Sequence, residues 1–274
     1  PFIRDVVSRL ERCVMQTEHD ADRMRGLGIA PDRVVTAGNI KFDSVTVVDE
    51  PVPDEELRDE LRLPPGTAVF IGAALEKPGR EDGMILDVIE GLRAAHPDAA
   101  LIIVPRHPER GGDIARLVAS RGWTPRRRSA KDLFDDPASQ VFIVDTIGEL
   151  TRFYTLARAV YVGKSMFPPG GGQNMIEPVA LGCPTLYGPF TPNFRGIADE
   201  LAGCGGTEVV DSPGELTRAL VDLWENEAMC REMVARGQAF IREQQGATQR
   251  NIDAVCAVYP PRCAPECATD EMER

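Results

Sequence analysis

Apolar residues along this chain gather in short runs, and the segments between the runs carry helical spacing. The runs at 68–73, 100–104, 141–144, 159–163, 185–187 and 207–210 are too short for helices. Those that are apolar at nearly every position read as strands buried on both faces of a parallel sheet. Between them, apolar positions recur every three or four residues over 82–95, 113–121, 149–157, 194–202, 213–225 and 227–244, the period of helices with one buried stripe. This alternation predicts an α/β fold, a Rossmann-like parallel sheet with flanking helices.

The same alternation runs through the first 40 residues, with a helix over 2–12, a strand at 13–16, a helix over 20–27 and a strand at 33–37. These read as the last elements of a separate amino-terminal α/β lobe. Residues 49–65 are acidic and proline-rich, with a short helix over 54–61, and mark a boundary. The expected division is 1–48 as the end of the amino-terminal lobe, 49–245 as a ligand-binding Rossmann-like domain, and 246–274 as a helix and tail. Residue 1 is proline and a helix begins at once, so the chain reads as part of a longer protein.

Composition narrows the classes. The formal charge of −12 argues against a general nucleic-acid binder, which needs a basic face to neutralise phosphates. The seven cysteines, at 13, 183, 204, 230, 256, 263 and 267, are scattered and mostly in apolar contexts, as thiols of a reducing compartment are. Cys263 and Cys267 lie close together in a proline-rich tail without the partners a zinc site needs. No run approaches the ~20 apolar residues that span a bilayer.

In open sheets of this kind, ligands bind beyond the carboxyl ends of the strands, and three loops there carry chemistry. The first is Pro105-Arg106-His107-Pro108-Glu109-Arg110, where Arg106 offers a planar fork to a phosphate or carboxylate and His107 a hydrogen bond or proton. Arg106 paired with a nearby acid and His107 merely packed is the competing reading. The second is Asp145-Thr146-Ile147-Gly148-Glu149-Leu150. Thr146 and Glu149 fit a capping box, with the hydroxyl reaching the Glu149 amide and the carboxylate reaching back, while Ile147 and Gly148 leave amides free for a nucleotide. The third is Gly170-Gly171-Gly172-Gln173-Asn174-Met175-Ile176-Glu177-Pro178. Its glycines allow close approach, Asn174 can cap a helix, the following amides suit a phosphate, and Glu177 can accept hydrogen bonds from a ribose. Arg126-Arg127-Arg128 reads as a solvated face, Trp123 and Trp224 as core or rim aromatics, and His96 as a helix cap. No metal-ligand cluster, Ser-His-Asp set or nucleotide-triphosphate loop is evident.

These three loops, with Gly38-Asn39-Ile40-Lys41-Phe42-Asp43, Gly188-Pro189 and Asn193-Phe194, resemble in order and spacing the Kdo transferases of bacterial lipopolysaccharide assembly, over about residues 10–245. The resemblance implies the carboxyl-terminal, donor-binding part of a two-lobed B-type glycosyltransferase. Such an enzyme transfers Kdo (3-deoxy-D-manno-oct-2-ulosonic acid) from CMP-Kdo to a lipid A precursor, inverts the anomeric centre, and needs no metal or cofactor. It implies that Pro105, Arg106, Ile147, Gly148, Glu149, Asn174, Met175, Ile176 and Glu177 contact the CMP moiety, with Lys41, His107, Gly171, Gly172 and Gln173 around the donor pocket. Two positions depart from the family pattern: Gln173 stands where His is usual, and Lys164 where a second glycine is usual. The general base and the membrane-facing acceptor surface belong to the amino-terminal lobe, so the resemblance assigns no catalytic base here and implies a fragment inactive alone. The full-length protein would work at the cytoplasmic face of the bacterial inner membrane. A catalytically inactive nucleotide-binding module, and a B-type transferase using another nucleotide sugar, are the alternatives.

Overall fold

The structure, a computed structural model, describes residues 2–49, 52–76 and 80–259, so Cys263, Cys267 and the rest of the tail lie outside the described residues. Contacts between Cα atoms divide the chain into two compact units, residues 1–44 with 244–274, and residues 45–243.

In the first unit, helix α1 (Phe2–Val7) is followed by strand β1 (Cys13–Met15), helix α2 (Glu18–Gly26) and strand β2 (Val34–Thr36). The helix expected over 2–12 stops at Val7. Beyond it Arg9 and Leu10 close tighter turns onto Val6 and Val7, and the Ser8 hydroxyl takes the Asp5 carbonyl. Strands β1 and β2 pair in parallel, Cys13 opposite Val34, over a small core of Cys13, Ala21, Ile29 and Val34. The motif around Lys41 forms a 3-10 turn, Ile40–Ser44, and Asp43 just within it accepts the Gly246 amide at 2.7 Å and the Thr248 amide.

The second unit is built on one parallel sheet. Its elements in chain order are α3 (Glu55–Glu60), β3 (Val69–Leu75), α4 (Arg80–Ala95), β4 (Ala100–Pro105), α5 (Gly111–Ser120), β5 (Thr124–Arg127), β6 (Gln140–Ile143), α6 (Leu150–Tyr154) and β7 (Ala157–Val162). Then come α7 (Ile176–Ala180), β8 (Thr185–Tyr187), α8 (Arg195–Gly203), β9 (Glu208–Val209), α9 (Pro213–Glu225) and α10 (Glu227–Gln244), and helix α11 (Ala247–Cys256) belongs to the first unit. The seven strands lie in the order β5-β6-β4-β3-β7-β8-β9. The apolar runs pair as their lack of a solvent face requires, with Val69 opposite Ala100 on one side of β3 and Ala157 on the other. Sheet order reverses about β3, since β4 joins one edge of it and β7 the other. The carboxyl ends of β3, β4 and β7 therefore border the crevice where such folds bind ligands.

Two sequence expectations are corrected here. Arg126 and Arg127 are not a free solvated face, because they belong to β5, which pairs with β6 at the sheet's edge. A proline and two arginines in four residues hide the strand from a search for apolar runs, and they suit an edge, where such residues discourage further pairing. The helix expected over 149–157 is only the turn Leu150–Tyr154. Its last expected residue, Ala157, opens β7 instead. Trp123 and Trp224 pack half-buried against the core, as read. His96 directly follows α4, its amide donating to Leu92 and its ring Nε2 3.7 Å from Glu225. No helix among the described residues is long and apolar enough to cross a membrane.

Candidate functional site

The loop after β4 is anchored from beneath. Arg110 is buried, its Nη1 donates to the carbonyls of Leu75 at 3.0 Å and Glu76 at 2.9 Å, and its Nη2 pairs with Asp82. The Arg106 amide also donates to Leu75, at 2.9 Å. This ties residues 105–110 to the end of β3 and leaves Arg106 and His107 exposed while Pro105 is buried. Among the described residues the Arg106 side chain pairs with no acid. His107 has its Nδ1 3.6 Å from Glu109. Arg110 stood in the motif, but its buried anchoring role has no local signature.

The loop after β6 is held by the arginines that the sequence reading set aside. Asp145 is buried, and its carboxylate receives Arg127 Nε at 2.8 Å, the Ser129 amide at 2.8 Å and the Ser129 hydroxyl at 2.7 Å. Burial alone would raise this carboxyl, but the Ser129 and Arg127 donors outweigh it and hold it below its ordinary range. Arg128 grips Glu149 through Nε at 3.1 Å and Nη2 at 2.6 Å, and reaches Glu60 at 2.7 Å. The capping box is not formed as expected: α6 starts at Leu150 with no side-chain cap, and the Thr146 hydroxyl donates to the Glu149 carboxylate. Arg128 takes that carboxylate in place of the Thr146 amide, since a charge-assisted pair is the stronger bond. Above these anchors Gly148 is open and Ile147 is 87% exposed, an isoleucine with nothing of its own to cover it.

The Arg128 guanidinium is the main reason that the Glu149 carboxyl stays below its ordinary value of 4.5, with burial opposing it and Thr146 assisting. A depressed carboxyl contributes stability that is fully present above 4.5 and is lost as pH falls through the lower folded value. Arg128→Met is therefore expected to be about 1–2 kcal/mol less stable than the parent at pH 7. The two should converge as pH falls below 4.5, and urea titrations from pH 7 to 3 check it. A gap that persists unchanged at pH 3 contradicts the assignment.

The glycine loop after β7 is a rigid insert. A Cβ on Gly170 would lie 2.2 Å from the Phe190 carbonyl oxygen, so only glycine fits, and residues 170–172 all take positive φ. The Gly171 amide donates to Phe190 at 2.9 Å and the Gly172 amide to Lys164 at 2.8 Å. Asn174 does not cap α7 directly; the cap position is Met175, and the Asn174 Oδ1 receives the Ile176 amide at 3.1 Å. The expected row of ligand-facing amides thus narrows. Among the described residues, those of Gln173, Asn174 and Met175 have no hydrogen-bond partner. Met175 and Ile176 are fully buried as whole residues, backbone included, and the Ile176 amide is taken by Asn174. Glu177 is half-buried and receives the Asn174 amide group at 2.9 Å on Oε1.

The first and third loops meet at the end of β3, and the second packs on the start of the helix after the first. Glu76, the residue after that strand, pairs with Lys164 at 2.6 Å and receives Gln173 Nε2 at 3.4 Å, while its carbonyl holds Arg110. Gly111 packs so closely on Asp145 that a Cβ there would lie 2.5 Å from its carboxylate, which joins the second loop to the first. Lys41 is exposed in the first unit. Among the described residues no three His, Cys, Asp or Glu side chains gather as a metal-ligand set.

A sequence model described as 3-deoxy-D-manno-octulosonic-acid transferase matches residues 1–44. The 3-deoxy-D-manno-octulosonic acid transferase of Bordetella pertussis is 31% identical over 92% of this chain and 58% of its own length. This chain spans a little over half the length of the curated relatives it matches. Among solved structures, the C-terminal CMP-Kdo binding domain of WaaA from Acinetobacter baumannii is 27% identical, covering 68% of this chain and 94% of that domain with a TM-score of 0.62. A glycosyltransferase from Rickettsia africae, 12% identical, shares the fold over 94% of this chain and 67% of its own, with a TM-score of 0.59. The motif-bearing loops sit at the carboxyl ends of the sheet strands, and by these likenesses the chain belongs to the 3-deoxy-D-manno-octulosonic acid (Kdo) transferase family.

Proposed function

We propose that this chain binds CMP-Kdo and, as part of a full-length transferase, delivers Kdo to a lipid A precursor at the cytoplasmic face of the bacterial inner membrane. The observation that carries the reading is that two loops meet at the end of β3 and the third packs on the first of them. Each presents what a nucleotide monophosphate ester needs. Arg106, exposed and without an acid partner among the described residues, and the part-exposed amides of Gln173 and Asn174 suit the phosphate. Glu177, with Oε1 already on Asn174, offers its other oxygen to the ribose. Ile147 offers apolar surface to the base, beside Gly148 and the firmly held Glu149.

In the reaction the acceptor hydroxyl attacks the anomeric carbon of Kdo as the bond from that carbon to the CMP phosphate oxygen breaks, inverting the centre. Negative charge grows on the departing phosphate, where Arg106 and the loop amides stabilise it without a metal or cofactor. The acceptor's proton passes to a general base, a role that we assign to no described residue. On this reading the chain alone holds donor but does not turn it over.

Calorimetry with CMP tests the reading. The folded chain should bind CMP, and Arg106→Ala and Glu177→Ala should each weaken binding roughly 10-fold or more, the scale of one charge-assisted hydrogen bond. A folded chain that takes up neither CMP nor CMP-Kdo contradicts the proposal, and a preference for UDP moves it to another nucleotide sugar.

A further inference from the structure

The loop after β6 has little of its own to hold it. Its last tie to the sheet is the Val144 amide, which donates to Ile103 at 2.9 Å, and its first tie to α6 is the Arg152 amide, which donates to Glu149 at 3.0 Å. Between them the backbone amides of Thr146, Ile147, Gly148 and Glu149 have no hydrogen-bond partner among the described residues. Gly148 has a φ of +86° and Ile147 is 87% exposed, so neither local conformation nor packing fixes this stretch. The restraint comes from outside. Asp145 and Glu149, at its two ends, are gripped by the consecutive residues Arg127, Arg128 and Ser129, where β5 finishes. That gripping segment is itself rigid: the Arg127 amide donates to the Asp132 carboxylate at 2.8 Å, the Asp132 amide returns to the Arg127 carbonyl at 3.1 Å, and the Lys131 amide closes on Arg128 at 3.0 Å. Arg128 spans farthest. It reaches Glu149 on one side and Glu60, in α3, on the other, and its side chain is only 16% exposed.

We propose that Arg128 is a positioning residue for the nucleotide: by holding the Glu149 carboxylate it presets the backbone of residues 146–149 in the shape that receives CMP. The inference rests on the donor-binding reading above and adds to it a residue that acts through Glu149 rather than on the ligand. A loop whose amides are unpaired must be ordered when ligand binds, and whatever orders it beforehand removes that cost from the binding step. Arginine suits the task better than lysine. Its planar fork meets both oxygens of Glu149 while a further nitrogen stays on Glu60.

Calorimetry with CMP on the 274-residue chain tests this. Arg128→Met is expected to bind CMP roughly 5- to 30-fold more weakly while still folded at the assay temperature, as circular dichroism will report. Arg128→Lys, which keeps the charge without the fork, should fall between that variant and the parent. Arg126→Met removes the same charge from the same strand, but Arg126 pairs with Asp135 and not with the loop, so its CMP affinity should stay within about 3-fold of the parent. In a Glu149→Gln background Arg128→Met should add little further loss, the mark of one residue acting through the other. Where Arg128→Met is too unstable to assay, Arg128→Lys takes its place, and an unchanged affinity there overturns the inference. So does an unchanged affinity in Arg128→Met, an equal loss in Arg126→Met, or a full additional loss in the Glu149→Gln background, each of which leaves the donor site in place. A parent chain that binds neither CMP nor CMP-Kdo overturns the donor reading and this inference together.

Discussion

Replacing Arg110 by methionine is expected to lower the unfolding free energy by about 3–5 kcal/mol, because it breaks a buried ion pair by removing one partner. The two side chains are 9% and 2% exposed, and Arg110 also satisfies the carbonyls of Leu75 and Glu76. In urea the midpoint should fall with little change in slope, since the surface exposed on unfolding is the same. The double variant Arg110→Met with Asp82→Leu should recover much of the loss, since it removes the buried carboxylate as well as its guanidinium partner. A single-variant loss under about 1 kcal/mol would show that the pair is solvated in solution. Because the same guanidinium ties the Arg106 loop to β3, CMP binding should weaken even where the protein stays folded.

Glu81→Gln is the second large effect. Glu81 lies in the first turn of α4, 3% exposed, where the helix amino terminus favours its charge. It accepts the amides of Lys164 and Ser165 and lies 3.4 Å from that of Met166. Glutamine keeps the shape but turns one acceptor into a donor against those amides, for an expected loss of about 2–3 kcal/mol. Hydrogen exchange should localise it: protection at residues 164–166 should drop well before protection in β4 or β6. Uniform loss across the sheet would make Glu81 a general core residue rather than the clamp on this loop.

Those two carboxylates illustrate what the sequence could and could not reveal. The central strands were legible because 69–75, 100–105 and 157–162 have almost no polar residue to give them a solvent face. The glycine loop was legible because three glycines exceed what a turn needs. Arg80-Glu81-Asp82, by contrast, reads as an ordinary charged helix start. Its meaning depends on Arg110, 28 residues away, and on Lys164, 83 residues away from Glu81, and local spacing does not carry such pairings. Arg127 and Arg128 were misread for the same reason, since their partners Asp145 and Glu149 lie across the sheet edge. The Thr146 and Glu149 pair fitted a local template, and a distant arginine overrode it.

The division of the chain into an uninterrupted middle unit and a flanking unit made of both its ends sets an order on synthesis. Asp43 leaves the ribosome 203 residues ahead of Gly246, the amide it will hold beside α11. At ordinary elongation rates that is a wait of about 10–40 s, far longer than a parallel α/β sheet needs to begin forming. The flanking unit is therefore begun before the ligand-binding sheet and gains α11 only after it, so the sheet is assembled while that helix is still to come.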